Sequence, residues 1–256
     1  MARYFLKLSY KGTHYHGWQI QDNANTVQQE INTALSTVLN EAILCTGCGR
    51  TDTGVHAKEF FAHFDAENEI MDSNTVIFKL NGCLPPDISI ARLWEVPPDS
   101  NVRFDATART YEYVISQKKD PFLKEQSHYL FGALDLGLMT KAAQQLLNCE
   151  DFTSFSRSNT QTKTNLCTIT IAEWTTGNQR LTFTITANRF LRGMVRAIVG
   201  TMLEVGQGKI SVADFVEIIE AKDRTKAGYS VPAAGLHLTS VVYPKELFIS
   251  QLKSTN

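Results

Sequence analysis

Arg3 to Tyr10 alternates along the chain, placing Tyr4, Leu6, Leu8 and Tyr10 on one side, the period of a half-buried strand. Thr26 followed by Gln29 has the spacing of a capping box, and Val27, Ile31, Leu35 and Val38 then recur at helical intervals. That pattern predicts a helix to about Asn40. Strands are expected over Ala42–Thr46 and Glu59–Asp65, a helix over Ser73–Leu80 and a strand over Ile88–Val96. The order through this first part is βαββαβ.

The remainder repeats it. Ala106–Ser116 reads as a strand with Tyr111 and Tyr113 on one face. Leu136–Leu147 reads as a helix, and Ile169–Trp174 with Leu181–Ala187 as a hairpin around Gly177-Asn178. Phe190–Val205 is expected to be helical, followed by a helix near Val212–Ala221 and a last strand over Leu236–Tyr243. Repeated βαββαβ units predict an α+β fold of two ferredoxin-like halves, residues 1–104 and 105–256, divided near Pro97-Pro98-Asp99-Ser100-Asn101. The expectation is that their antiparallel sheets join, with a central catalytic cleft.

Composition narrows the class. With 256 residues, 43% hydrophobic and 20% charged, the chain is expected to be globular. No apolar run is long enough to span a bilayer, and the first residues enter a strand pattern instead of a signal-peptide core, so a cytoplasmic location is expected. Five cysteines, an odd number and dispersed, do not suggest a disulfide framework. Cys45 and Cys48 form a Cys-x-x-Cys pair, but no second pair follows to complete a structural zinc site, and they read as small residues near a buried strand. The net charge of −1 hides an uneven distribution. Met1 to Gln21 carries Arg3, Lys7 and Lys11 and no acid. Between Phe152 and Met202 the sole acid is Glu173, against Arg157, Lys163, Arg180, Arg189, Arg192 and Arg196. Acids gather instead in Asp65–Asp72 and Val212–Asp223. Such asymmetry suits a basic face that meets phosphate, whose pull extends over about a Debye length, roughly 8–10 Å.

The segment Gly49-Arg50-Thr51-Asp52-Thr53-Gly54-Val55-His56-Ala57 carries the candidate chemistry. A carboxylate sits at the centre of a short polar run bracketed by glycines and flanked by strands, where a loop can hold a catalytic group. Asp-Thr-Gly alone fits a plain turn equally well. His14, His16, His56 and His63 do not group as a metal site, and no Gly-rich loop with a following Lys-Ser/Thr is present to cradle a nucleotide.

The whole string resembles the catalytic loop of the tRNA pseudouridine synthase A family, with Thr53 in place of the usual alanine. The likeness continues through Tyr10-Lys11-Gly12-Thr13, where Lys11 departs from the common aspartate, and Gly17-Trp18-Gln19. It extends to Ala108–Tyr113, Asp151–Phe155, Phe190–Arg196 and Gly235–Leu238. The resemblance implies isomerisation of uridine to pseudouridine at positions 38 to 40 of the tRNA anticodon stem-loop, by a homodimer. It assigns Asp52 as the catalytic carboxylate, leaving open attack on the sugar, attack on the base or abstraction of a sugar proton. Arg50 would stabilise the flipped-out nucleotide, Tyr111 would stack on the uracil, and Leu236 would wall the base. Arg196 would pair with Asp52. Arg192, four residues before it and so expected on a shared helix face, and Arg189 read as phosphate contacts or as solvated surface. The reaction oxidises nothing and transfers no group in, so neither a cofactor nor a metal is expected. Two other readings compete: a ferredoxin-like RNA-binding module without chemistry, which lacks a recognisable RNP pair, and a glycoside hydrolase using Asp52, which lacks an evident second carboxylate.

Overall fold

In the computed structural model, which describes residues 1–157, 164–177 and 180–248, the chain separates into two units. One is Met1–Thr107 with the segment from Leu238 onward, and the other is Ala108–His237. The first unit runs β1 (Ala2–Tyr10), α1 (Val27–Leu39), β2 (Thr46–Gly47), β3 (His56–Ala66), α2 (Ser73–Cys83) and β4 (Ile88–Val96). This is the βαββαβ order read from the pattern. β1 lies between β3 and β4 and is antiparallel to both.

Helix α1 starts where the sequence places it: the Thr26 side chain accepts a hydrogen bond from the Gln29 N–H, and Asn40 ends the helix in a left-handed conformation. The following strand is shorter than the expected Ala42–Thr46. Ser36 and Asn32 of α1 accept from the backbone N–H groups of Ile43 and Cys45, both at 2.9 Å, and the Gln28 amide donates to the Cys45 carbonyl at 2.7 Å. Helix side chains thus take the groups a ladder would use, and of the stretch Ala42–Gly47 the residues that pair with β3 are Thr46 and Gly47.

The reading of β1 as half-buried also needs correction. Tyr4, Leu6, Leu8 and Tyr10 are buried as expected, but Phe5 on the opposite face is buried too. It stacks on His63 and meets Tyr243 and Phe248 edge-on, residues more than two hundred positions away. A strand covered on both faces loses clean alternation.

The second unit runs β5 (Ala108–Ser116), β6 (His128–Tyr129), α3 (Leu136–Gln145), β7 (Ile169–Gly177), β8 (Arg180–Ala187), α4 (Met194–Gly206) and α5 (Val212–Glu220). β8 pairs antiparallel with both β5 and β7, and β6 adds in parallel to β5. The predicted hairpin is therefore present; Asn178 of its turn, like Lys163 of the basic run, lies outside the described residues. Helix α4 is buried along nearly all its length. It begins at Met194, not at Phe190, because the chain turns first. The Met194 N–H donates to the Leu191 carbonyl, the Arg192 carbonyl accepts from Arg157, and Gly193 adopts φ 74°. Arg192 therefore precedes the helix, and the expected shared face with Arg196 does not form. The last described strand, β9 (Leu236–Val242), neighbours β3 in the first unit. Among the described residues no helix is long and apolar enough to cross a membrane.

Two histidines tie this packing to pH. Burial, with the Arg3 charge adding to it, holds His63 below its ordinary value of 6.5, and burial alone does the same for His128. The folded state keeps both rings neutral, whereas the unfolded chain takes up protons from about pH 6.5 downward. Stability is therefore fully present above that value and falls as pH drops through it. Urea midpoints are expected to be lower at pH 5.5 than at pH 8, with most of the difference removed in a His63→Gln, His128→Gln double variant. Equal midpoints in the wild type would contradict neutral burial of these rings.

Candidate active site

The Asp52 loop leaves β2 and enters β3 as a tight turn, closed by the Val55 N–H donating to the Asp52 carbonyl at 3.1 Å. A second segment, Gly12 to Trp18, grips it. The Trp18 N–H donates to the Thr51 carbonyl at 3.2 Å, and the Gly54 N–H donates to the Tyr15 carbonyl at 3.3 Å. The Gly12 N–H donates to His56 Nδ1 at 3.1 Å, and the Tyr10 and Thr51 hydroxyls share a buried hydrogen bond of 2.9 Å. Four bonds thus fix residues on both sides of Asp52. Such close backbone approach requires two of the glycines. A Cβ on Gly12 would run into the Val55 carbonyl oxygen, and one on Gly17 into that of Thr51. Gly17 also has φ 87°, which L side chains rarely adopt.

The gripping segment is itself anchored in the core. Trp18 is buried, stacks on Phe60 at 4.2 Å and leans on Tyr10. Tyr15 is buried, with its hydroxyl donating to Asp87 at 2.6 Å. Apolar burial and these polar ties together hold the turn, while Asp52 stays half-buried and Arg50 exposed. His56 shapes the loop by accepting from the Gly12 N–H. Cys45 and Cys48 are both buried, and burial pushes the Cys45 thiol up to about 12, so it is protonated and unreactive at neutral pH. Among the described residues no group of three or more His, Cys, Asp or Glu side chains is placed to hold a metal ion.

Arg50 has one hydrogen bond among the described residues: its Nε donates to Gln19 Oε1 at 3.0 Å. No carboxylate pairs with it there. Reading the motif alone gave Gln19 no task, because its partner lies thirty-one positions away. The Gly-Trp-Gln string was the only hint.

Tyr111, Arg192, Arg196 and Leu236 belong to the second unit. Tyr111 on β5 is half-buried and meets Phe190 edge-on at 5.1 Å. Tyr113, on the same face, has no exposure; its hydroxyl donates to the Pro232 carbonyl at 2.9 Å, and Gly235 packs against its ring. That makes Tyr113 a packing residue and leaves Tyr111 as the accessible aromatic of the two. Arg196, in the first turn of α4, is half-buried with Nε donating to the Val231 carbonyl at 2.7 Å. Arg192 is exposed before the helix, and Leu236 is buried at the start of β9.

Comparison with known proteins identifies the family. The family model described as tRNA pseudouridine synthase matches residues 8–105 and 142–244. The chain is 50% identical to the protein named tRNA pseudouridine synthase A of Bacteroides thetaiotaomicron, covering 100% of this chain and 96% of that one. It is 51% identical to the protein of the same name in Bacteroides fragilis, over 97% and 99% of the two chains. The Porphyromonas gingivalis protein of that name is 48% identical, over 97% and 100%. This chain belongs to the tRNA pseudouridine synthase A family of isomerases.

Proposed function

We propose that this protein converts uridine to pseudouridine at positions 38 to 40 of the tRNA anticodon stem-loop, acting in the cytoplasm as a homodimer, with Asp52 as its catalytic carboxylate. The reaction breaks the N1–C1′ bond, turns the base and forms a C5–C1′ bond. C5 gives up its proton and N1 gains one, so the atoms balance without an oxidant or a second substrate. The site must then supply a group that engages C1′ or C6 and must retain the detached uracil.

One observation carries the reading: a half-buried carboxylate on a turn fixed by four hydrogen bonds, two residues from an exposed guanidinium that no described carboxylate neutralises. A fixed turn holds Asp52 in one attack geometry. An uncompensated guanidinium can take a phosphate bidentately or stack on a base, and so stabilise a nucleotide extruded at a cost of a few kcal/mol. Tyr111 offers a ring face for the flipped base. Arg192 is assigned to phosphate by its charge and exposure, and Arg196 to the Asp52 carboxylate and Leu236 to the base on the family likeness. Recognition through backbone and shape would let one enzyme serve different tRNA sequences.

The test is tritium release from tRNA labelled at C5 of uridine, without added metal or nucleotide, followed by mapping of the modified positions. Release with pseudouridine at 38 to 40 is the expected result. Folded protein that binds these tRNAs but releases no tritium would point instead to the binding-only module. Release from other positions would correct the target.

A further inference from the structure

The Arg50–Gln19 pair joins the guanidinium to a neutral side-chain acceptor. Gln19 follows Trp18, whose backbone N–H is bonded to Thr51 and whose ring is locked between Tyr10 and Phe60. The glutamine backbone is therefore pinned to the same turn that carries Asp52. Its Oε1 takes the Nε–H of Arg50, the single donor on the stem side of the guanidinium. The terminal nitrogens have no partner among the described residues. A carboxylate at position 19 would form a shorter, stronger bond but would neutralise the charge that phosphate must feel. A side chain without an acceptor would leave the charge intact but let the long arginine swing among its rotamers.

We infer that Gln19 is a positioning residue for the reaction: it aims the Arg50 guanidinium at the RNA while leaving its full positive charge available. This rests on the reading of Arg50 as the group that holds the extruded nucleotide. Gln19 touches no reacting atom and acts through Arg50 alone. Both requirements, an acceptor and neutrality, have separate signatures.

The experiment is single-turnover tritium release and tRNA affinity over a series of salt concentrations, for the full chain and the variants Gln19→Ala, Gln19→Glu, Arg50→Ala and Gln19→Ala combined with Arg50→Ala. Gln19→Ala is expected to slow the single-turnover rate by about 10- to 100-fold, as for a catalytic contact misplaced by an ångström or so. Its affinity should change by less than about threefold, since most binding energy comes from other phosphate contacts. Gln19→Glu is expected to weaken binding at low salt and to reduce the slope of log affinity against log salt by roughly 0.7, one phosphate contact. In the Arg50→Ala background, Gln19→Ala should cost nothing further. An equal loss from Gln19→Ala with or without Arg50 would overturn the inference, because the glutamine would then be shaping its own turn. A wild-type rate in Gln19→Ala would overturn it as well. Near wild-type behaviour of Arg50→Ala itself would remove the premise, and that failure is seen in the single Arg50 variant without reference to Gln19. The Asp52 reading is untouched by either result, because it is tested separately, by tritium release from the wild type against Asp52→Asn.

Discussion

Asp52→Asn is expected to lower tritium release from C5-labelled tRNA by at least about 10³-fold, on the scale seen when a catalytic nucleophile is removed. The variant should bind tRNA within a few-fold of wild type and melt at a similar temperature. Asparagine matches aspartate in size, and the turn is held by the backbone carbonyls of Thr51, Asp52 and Tyr15 and by the side chains of Thr51 and His56, none of which the change removes. What is lost, in this reading, is the charge and the lone pairs of the carboxylate proposed to carry the chemistry. Rate and affinity therefore separate. A variant that loses affinity as much as rate would make Asp52 a binding group. One that retains the wild-type rate would remove it from the chemistry altogether.

Gly17→Ala should be the most damaging small substitution near the site, although residue 17 touches no substrate in this reading. Its backbone sits at φ 87°, and a methyl there would meet the Thr51 carbonyl oxygen, which belongs to the residue before Asp52. The left-handed conformation alone costs roughly 1–2 kcal/mol, and overpacking against fixed backbone adds typically 1–3 kcal/mol. Relief requires that Trp18 or Thr51 move. Trp18 is locked among aromatic rings, so the Asp52 turn is what shifts. The expected outcome is a melting temperature lowered by about 2–4 °C per kcal/mol lost and a catalytic rate reduced by about 100-fold. Gly82→Ala is the control. A Cβ there meets nothing within 4 Å, and the residue lies in α2, so it should gain about 0.5–1 kcal/mol from helix propensity. Loss of stability in Gly17→Ala with an unaltered rate per folded molecule would show that the grip on the turn is not what aligns Asp52.

Several of these features were legible in the amino-acid order. Local rules place α1 behind its Thr26 cap, give β4 its observed bounds, and order the first unit as βαββαβ, because caps, turn residues and periodicity act over a few positions. The Gly49–Ala57 string pointed to the turn proposed as catalytic and to Asp52 and Arg50 within it. Periodicity alone did not distinguish Tyr111 from Tyr113, which share a strand face; the packing of Gly235 and Pro232 around Tyr113 does.

Other features depended on partners far along the chain. The strand expected at Ala42–Thr46 shrank because Ser36 and Asn32 claim its N–H groups, a competition between side chain and ladder that no local pattern records. Helix α4 lost its first residues to a turn bonded to Arg157, which moved Arg192 off the helix. Phe5 was buried by Tyr243 and Phe248 from the far end of the chain. By itself, then, the sequence determined the order of elements in the first unit, the family and the loop proposed to react, since those reside in short motifs and local energetics. Only the tertiary structure decided that Gly12 to Trp18 clamps that loop and that Gln19 holds Arg50. Such contacts come from long-range packing, where chain separation carries no information about distance.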